Sequence, residues 1–181
     1  VVMNSLTVKL HLLMASFYRP NGKRKKILIE KHAFPSDRYA VQSQLKFHGN
    51  DPKNDLIDIE PDQADCISMS SVMNSLNKYG EEIALVLMGG VNYYSGQAFD
   101  MAAITDKAQK CGCRVGFDLA HAAGNLKLNL NDWGVDFAVW CGYKYLNGGP
   151  GAPSGVFIHE RHLERTDLPR FEGWWGHDKS T

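Results

Sequence analysis

The sequence predicts an α/β fold, a mostly parallel sheet flanked by helices. Three observations point there. Short apolar runs alternate with stretches whose apolar residues recur at helical spacing. One run, Ile83-Ala84-Leu85-Val86-Leu87-Met88, is apolar throughout, as a strand buried on both faces requires. The chain's 181 residues, 44% of them hydrophobic, suffice for one sizeable core. No internal repeat, low-complexity tract or linker divides it.

Val2 to Tyr18 carries Leu6, Leu10, Leu13, Met14 and Phe17 at helical spacing, and Pro20 ends that helix. Lys26-Ile27-Leu28-Ile29-Glu30 is a short strand run. Pro35 suits the first turn of a helix reaching about Phe47. Gly49 to Pro52 reads as a turn, and Leu56-Ile57-Asp58-Ile59 as a second strand. Met69 to Tyr79 is a helix closed by Gly80. Beyond the apolar strand, Asp100 can cap a helix through Lys110, with Gly112 as its stop. Arg114 to Phe117, Phe137 to Trp140 and Gly155 to Ile158 complete the strands.

Lys+Arg and Asp+Glu both number 20, a balance that speaks against nucleic acid or an anionic membrane as the main partner. The basic run Lys23-Arg24-Lys25-Lys26 follows Pro20-Asn21-Gly22 and reads as a solvated turn. Cys66, Cys111, Cys113 and Cys141 include no CxxC pair, which fits a reduced, cytoplasmic protein. No apolar stretch approaches bilayer length, and no signal-peptide pattern opens the chain. The sequence begins inside a predicted helix and stops soon after a dense aromatic segment, as a piece of a longer protein would.

In parallel sheets functional residues gather beyond the carboxyl ends of strands. Asp118 and His121 follow one strand, and Lys144 follows another, inside Cys141-Gly142-Tyr143-Lys144-Tyr145-Leu146-Asn147-Gly148-Gly149-Pro150-Gly151. Apolar company lowers a lysine's pKa and makes it a nucleophile; an ordinary loop lysine is the alternative. A carboxylate ending an apolar strand needs a partner if buried. That partner is either a backbone amide, as in a helix cap, or a protonated ring nitrogen. An amine and a buried anion together fit pyridoxal 5'-phosphate chemistry. His121, three residues past Asp118, faces the same way on a helical turn and could bond the cofactor or a carbonyl. Phe34 could stack on a flat heteroaromatic ring or fill the core, and Asp37 could orient a histidine.

Other motifs fall away. The glycine cluster Gly148 to Gly155 lacks the Lys-Ser/Thr of a nucleotide P-loop and the strand–turn–helix setting of a dinucleotide fingerprint. It reads as a close-packed loop. His159-Glu160-Arg161-His162 spaces its histidines three apart, against four in a zinc helix, so no metal site is expected.

Phe34-Pro35-Ser36-Asp37, Asn92-Tyr93-Tyr94-Ser95-Gly96-Gln97, Gly116-Phe117-Asp118-Leu119-Ala120-His121-Ala122, Trp133-Gly134-Val135-Asp136-Phe137-Ala138 and Tyr143-Lys144-Tyr145-Leu146-Asn147 together resemble the kynureninase family, in its order. The resemblance implies residues 1–181 are the pyridoxal-phosphate-binding large domain of the aspartate-aminotransferase fold type. An N-terminal segment and a C-terminal small domain would be absent.

It also implies roles. Lys144 matches the Schiff-base lysine, and Asp118 the carboxylate facing the pyridine nitrogen. Phe34, Pro35, Ser36 and Asp37 match a cofactor-contacting motif, with Phe34 as the stacking ring. His121 and Tyr143 match cofactor contacts, the tyrosine at the phosphate. Leu6 and Thr7 match a phosphate-binding turn at a helix start, which places that start later than Val2. Trp174 matches a cofactor-binding tryptophan. Gly89 stands where some members carry a cofactor-contacting serine.

The implied reaction is hydrolysis of L-kynurenine or its 3-hydroxy form to anthranilate or 3-hydroxyanthranilate and L-alanine. The resemblance implies a place in tryptophan catabolism or NAD biosynthesis, and a homodimer in the full-length form. The alternatives are another enzyme of the same fold type, a desulfurase or aminotransferase, or an inactive fragment that only dimerises.

Overall fold

A computed structural model describes residues 1–62 and 64–171. Six strands form one sheet: β1 (Lys26–Glu30), β2 (Leu56–Ile59), β3 (Ile83–Gly89), β4 (Arg114–Asp118), β5 (Phe137–Trp140) and β6 (Gly155–Ile158). Their order across the sheet is β2-β1-β3-β4-β5-β6. All neighbours are parallel except β5 and β6, which run antiparallel. After β1 the chain goes outward to β2 and then crosses back to the other side of β1 for β3. The order therefore reverses between β1 and β3, where open α/β sheets leave a crevice at their carboxyl ends.

The helices are α1 (Leu6–Phe17), α2 (Pro35–Phe47), α3 (Pro52–Asp55), α4 (Met69–Tyr79) and α5 (Met101–Lys110), with a 3-10 turn at Glu160–His162. Strand side chains alternate between two apolar clusters. Ile27 and Ile29 pack with Leu10, Met14, Phe17, Val41 and Leu45, from α1 and α2. On the other face, Leu28, Val86, Met88, Val115 and Phe117 pack with Val72 and Leu76 of α4 and Ile104 and Ala108 of α5. Burial on both faces explains why β3 is apolar along its length. Its register against β1 slips once, between Lys26 and Ile27, which skips Ala84.

One glycine is required by packing. Gly116 pairs with Phe137 across β4 and β5. A Cβ at Gly116 would lie 2.2 Å from the Phe137 ring, which stacks in turn on Phe17 at 5.1 Å between centroids.

The first helix starts at Leu6, not Val2. Val2 instead forms an antiparallel bridge to Gly155, and Asn4 has φ +50°. The amides of Met3 and Ser154 bond the carbonyls of Ser154 and Asn4 respectively, so this segment lines the free edge of β6. Past the predicted turn at Gly49 to Pro52 lies a single helical turn, α3, whose start is capped by the Asp51 side chain. The remaining helix bounds match the sequence. Asp100 accepts from the Ala103 amide to cap α5, and Ser68 does the same for α4 through Ser71.

Candidate active site at the carboxyl ends of the strands

The carboxyl ends of β1, β3 and β4 contribute Glu30, Gly89 and Asp118 to one pocket, completed by Phe34, Asp37, Val91, Tyr93 and His121. Each side chain is set by its element. Phe34 precedes α2, whose first turn is opened by Pro35, and this brings Asp37 inward and leaves it buried. Asp118 is the last residue of β4. Its Oδ1 accepts the Ala120 amide at 2.7 Å, which turns the chain and directs His121 back over the pocket.

Lys144 lies in the turn after β5, in a cleft shared with His121, Tyr145 and Asn147. Its Nζ is 3.0 Å from His121 Nε2 and 5.5 Å from the centre of the Phe34 ring. Burial and the Lys144 charge both lower the pKa of His121, so the neutral ring can accept from the lysine. Phe34 meets Tyr93 edge to face at 5.2 Å.

The far wall is acidic and buried. Asp37 is pushed well above the usual carboxylate range, first by burial and then by the Asp118 charge beside it. Its electrostatic neighbours are Asp118, Glu30 and Lys144, so it pairs with a second carboxyl and does not orient a histidine. Asp37 Oδ1 is buried without a hydrogen-bond partner.

A second cleft opens beside the first. Asn4, Ser5, Leu6, Thr7, Tyr143, Gly151, Ala152 and Ser154 line it, at the start of α1. No side chain caps α1, so its first-turn amides keep their donors free for an anion. Tyr143 joins the two clefts because it precedes Lys144. Burial, followed by the nearby Cys141, raises the Tyr143 pKa.

Lys144, Asp118, His121, Phe34 and Asp37 are thus brought together, and Leu6, Thr7 and Tyr143 meet in the adjoining cleft. Pro35 and Ser36 shape the α2 turn without lining the pocket. Trp174 lies outside the described residues. Three contributors were given no role from the sequence. Glu30 ends β1 within the pocket. Asn92 is buried, its Nδ2 donating to the His32 carbonyl while its Oδ1 accepts from Tyr94 and Ser95, which steadies the loop that carries Tyr93. Lys9, buried in α1, donates from Nζ to the carbonyls of Ser154 and Val1. Glu30 shares with Asp118 a place at the end of an apolar strand, but nothing local in the sequence marks it as buried.

The arrangement has known relatives. The sequence profile of the aminotransferase class-V family matches residues 1–172. A kynureninase of Myxococcus xanthus is 59% identical over 100% of this chain and 43% of its own length. One of Nematostella vectensis is 53% identical over 100% of this chain and 39% of its own. The chain therefore spans about two fifths of the curated relatives it matches. Among solved structures, a C-DES mutant with glycine covalently linked to its PLP cofactor has a TM-score of 0.78 at 20% identity, covering 96% of this chain and 44% of that one. The apo cysteine desulfurase of Thermococcus onnurineus NA1 has a TM-score of 0.72 at 20% identity, with 90% and 38% covered. Those likenesses show a shared fold. By sequence, the chain belongs to the aminotransferase class-V family.

Proposed function

We propose that this chain is the pyridoxal-phosphate-binding large domain of an enzyme that hydrolyses L-kynurenine or 3-hydroxy-L-kynurenine to L-alanine and anthranilate or 3-hydroxyanthranilate. The observation that carries it is the convergence of Lys144, His121 and the Phe34 ring over a buried Asp37–Asp118 wall. The identity to kynureninases, over all of this chain and about two fifths of theirs, supports the substrate class.

The residues fit the cofactor. Two neighbouring buried carboxyls, one with an oxygen lacking any partner, call for a cationic N–H. The uncapped start of α1, with Thr7 and Tyr143, suits a phosphate. When bound, pyridoxal phosphate supplies an aldehyde that captures amines and a protonated ring that draws electrons from the adjoining carbon. Asp118 would hold the proton at the ring nitrogen, and Phe34 would offer its ring as a stacking surface. Lys144 Nζ, held by His121 Nε2, is the group positioned to take a proton from the substrate's α-carbon. Leu6, Thr7 and Tyr143 would hold the phosphate, with Pro35 and Ser36 setting the turn that presents Phe34 and Asp37.

The proposal extends to the assembly. Phe34, Tyr93, Tyr94, Tyr143, Tyr145 and Leu146 leave an exposed apolar rim around the site, which suits a second copy of the full-length chain. Balanced charge and four free cysteines favour a cytoplasmic protein that binds a small molecule, with neither nucleic acid nor membrane as a partner. No helix among the described residues is long and apolar enough to cross a membrane.

The test uses the full-length protein with added pyridoxal phosphate. The expected outcome is a visible absorbance from the lysine-bound cofactor and the fluorescence of released anthranilate. Lys144→Ala should abolish the absorbance and lower turnover by about 10²-fold or more. A wild-type protein that shows no such absorbance, or that releases sulfide from cysteine and no anthranilate from kynurenine, would overturn the reading.

A further inference from the structure

Glu30 occupies the position where the sheet's strand order reverses. It is the last residue of β1, and its Oε1 accepts the amide of Gly89, the last residue of β3, at 2.9 Å. That hydrogen bond spans the crevice between the two strands on the side of the candidate site. The other oxygen, Oε2, is buried with no partner. The residue as a whole is 3% exposed.

Glu30 also belongs to a crowd of like groups. The pocket it lines contains Asp37 from α2 and Asp118 from β4, with His121 from the turn after β4 and Tyr93 from the loop after β3. The cation facing this set is Lys144, after β5. Three buried carboxylates beside one ammonium would leave a surplus of negative charge that low dielectric makes expensive. The buried oxygens without partners, Glu30 Oε2 and Asp37 Oδ1, are where protons relieve it. Burial, with the Asp118 charge a smaller contributor, raises Glu30 to about 7.

Resting on the cofactor reading above, we propose that Glu30 is a positioning residue that keeps a proton in the apo site, clamps β1 to β3 through Gly89, and sets the charge that Asp37 and Asp118 present to the ring nitrogen. Neutral Glu30 leaves the wall with the single charge a pyridinium needs. Once ionised, it adds a second negative charge beside the ring and strengthens the hold on its proton. Gly89 belongs to the same device. A Cβ there would come 2.9 Å from Glu30 Oε1, so a side chain at this position would have to displace the carboxyl from its amide.

The substitution Glu30→Gln keeps an acceptor for the Gly89 amide and removes the titrating proton. Two measurements on the full-length protein test the proposal. Without cofactor, thermal melting of wild type and Glu30→Gln is compared across pH. A carboxyl raised in the folded state loses stability as pH climbs from its ordinary value, 4.5, to about 7, and nothing more above that. Glu30→Gln should therefore gain on wild type through that window and hold its lead beyond it. With pyridoxal phosphate, the absorbance of the bound cofactor is titrated. The ring's positive charge favours the ionised carboxyl, so wild type should show a transition below its apo value of about 7 that Glu30→Gln lacks, while Glu30→Ala, which also loses the strand clamp, should bind cofactor more weakly than Glu30→Gln.

A transition retained in Glu30→Gln, or melting curves that keep a constant separation across pH, would overturn the role of Glu30 and leave the cofactor reading standing. A wild-type protein with no cofactor absorbance at all would overturn both.

Discussion

The Asp118 carboxyl has two duties that substitution can separate. Its Oδ1 accepts the Ala120 amide and so shapes the turn to His121. In the proposed reading, its charge also holds the ring proton. Asp118→Asn keeps the acceptor and removes the charge, so melting should change little while turnover falls about 10²-fold or more. Asp118→Ala loses the hydrogen bond as well, at about 1 kcal/mol of further stability. Equal turnover in wild type and Asp118→Asn would refute the charge role. Asp118, His121 and Lys144 were legible because each follows an apolar strand in a sequence with a recognisable motif. Glu30 was not. A charged residue at a strand end is ordinarily solvated, and only the return of β3 to its side, with Gly89 donating, buries this one. Lys9 escaped for a similar reason, since its acceptor on Ser154 lies at the far end of the sequence.

At the scale of elements, helix and strand bounds were readable where local chemistry fixes them. Pro35 opens α2, and Asp100 and Ser68 cap α5 and α4. The apolar period could not locate the start of α1, because Val2 and Met3 are as apolar as a helix face yet bridge to β6. The antiparallel sense of β6 was equally hidden, since a short apolar strand reads the same in either direction. One sequence detail reports directly on how the sheet and helices pack. Gly116 clears the space that the Phe137 ring fills against Phe17. Gly116→Ala should destabilise the protein by about 1–3 kcal/mol through overpacking, read by denaturant melts. Phe137→Leu in the same background should restore part of the loss, and its failure to do so would show that the strain lies elsewhere.

Across the whole molecule, ionisable groups at the two ends of the sheet respond to pH in opposite ways. At the carboxyl end, Glu30 and Asp37 are both raised. At the other end, Asp136 is fully buried before β5, with its Oδ1 2.6 Å from Arg161 and 2.7 Å from His162 Nε2, while its Oδ2 accepts the Val115 amide at 2.8 Å. Burial works against the charged form here, yet the Arg161 hydrogen bond and charge and the Val115 amide outweigh it and lower its pKa. A lowered carboxyl contributes stability above its ordinary value, 3.8, and loses it as pH falls through the folded value. Asp136→Asn should therefore lower the melting temperature at neutral pH, with the gap from wild type narrowing as the solution is acidified through the carboxylate range. A gap independent of pH would mean that packing, not charge, dominates there.

The segment from Val1 to Asn4 lies along the edge of β6, and Lys9 reaches Ser154 across 145 positions of sequence. Yet α1 begins at Leu6, and the cleft at its start is walled by Gly151, Ala152 and Ser154. A ribosome reading this message releases one wall of the cleft early and the other only after five of the six strands have emerged. Until then α1 has no Phe137 or Val139 to cover Leu10, Met14 and Phe17. The cleft at the start of α1 therefore cannot close before Tyr143 to Ser154 have emerged, because so non-local a contact must wait for both of its ends.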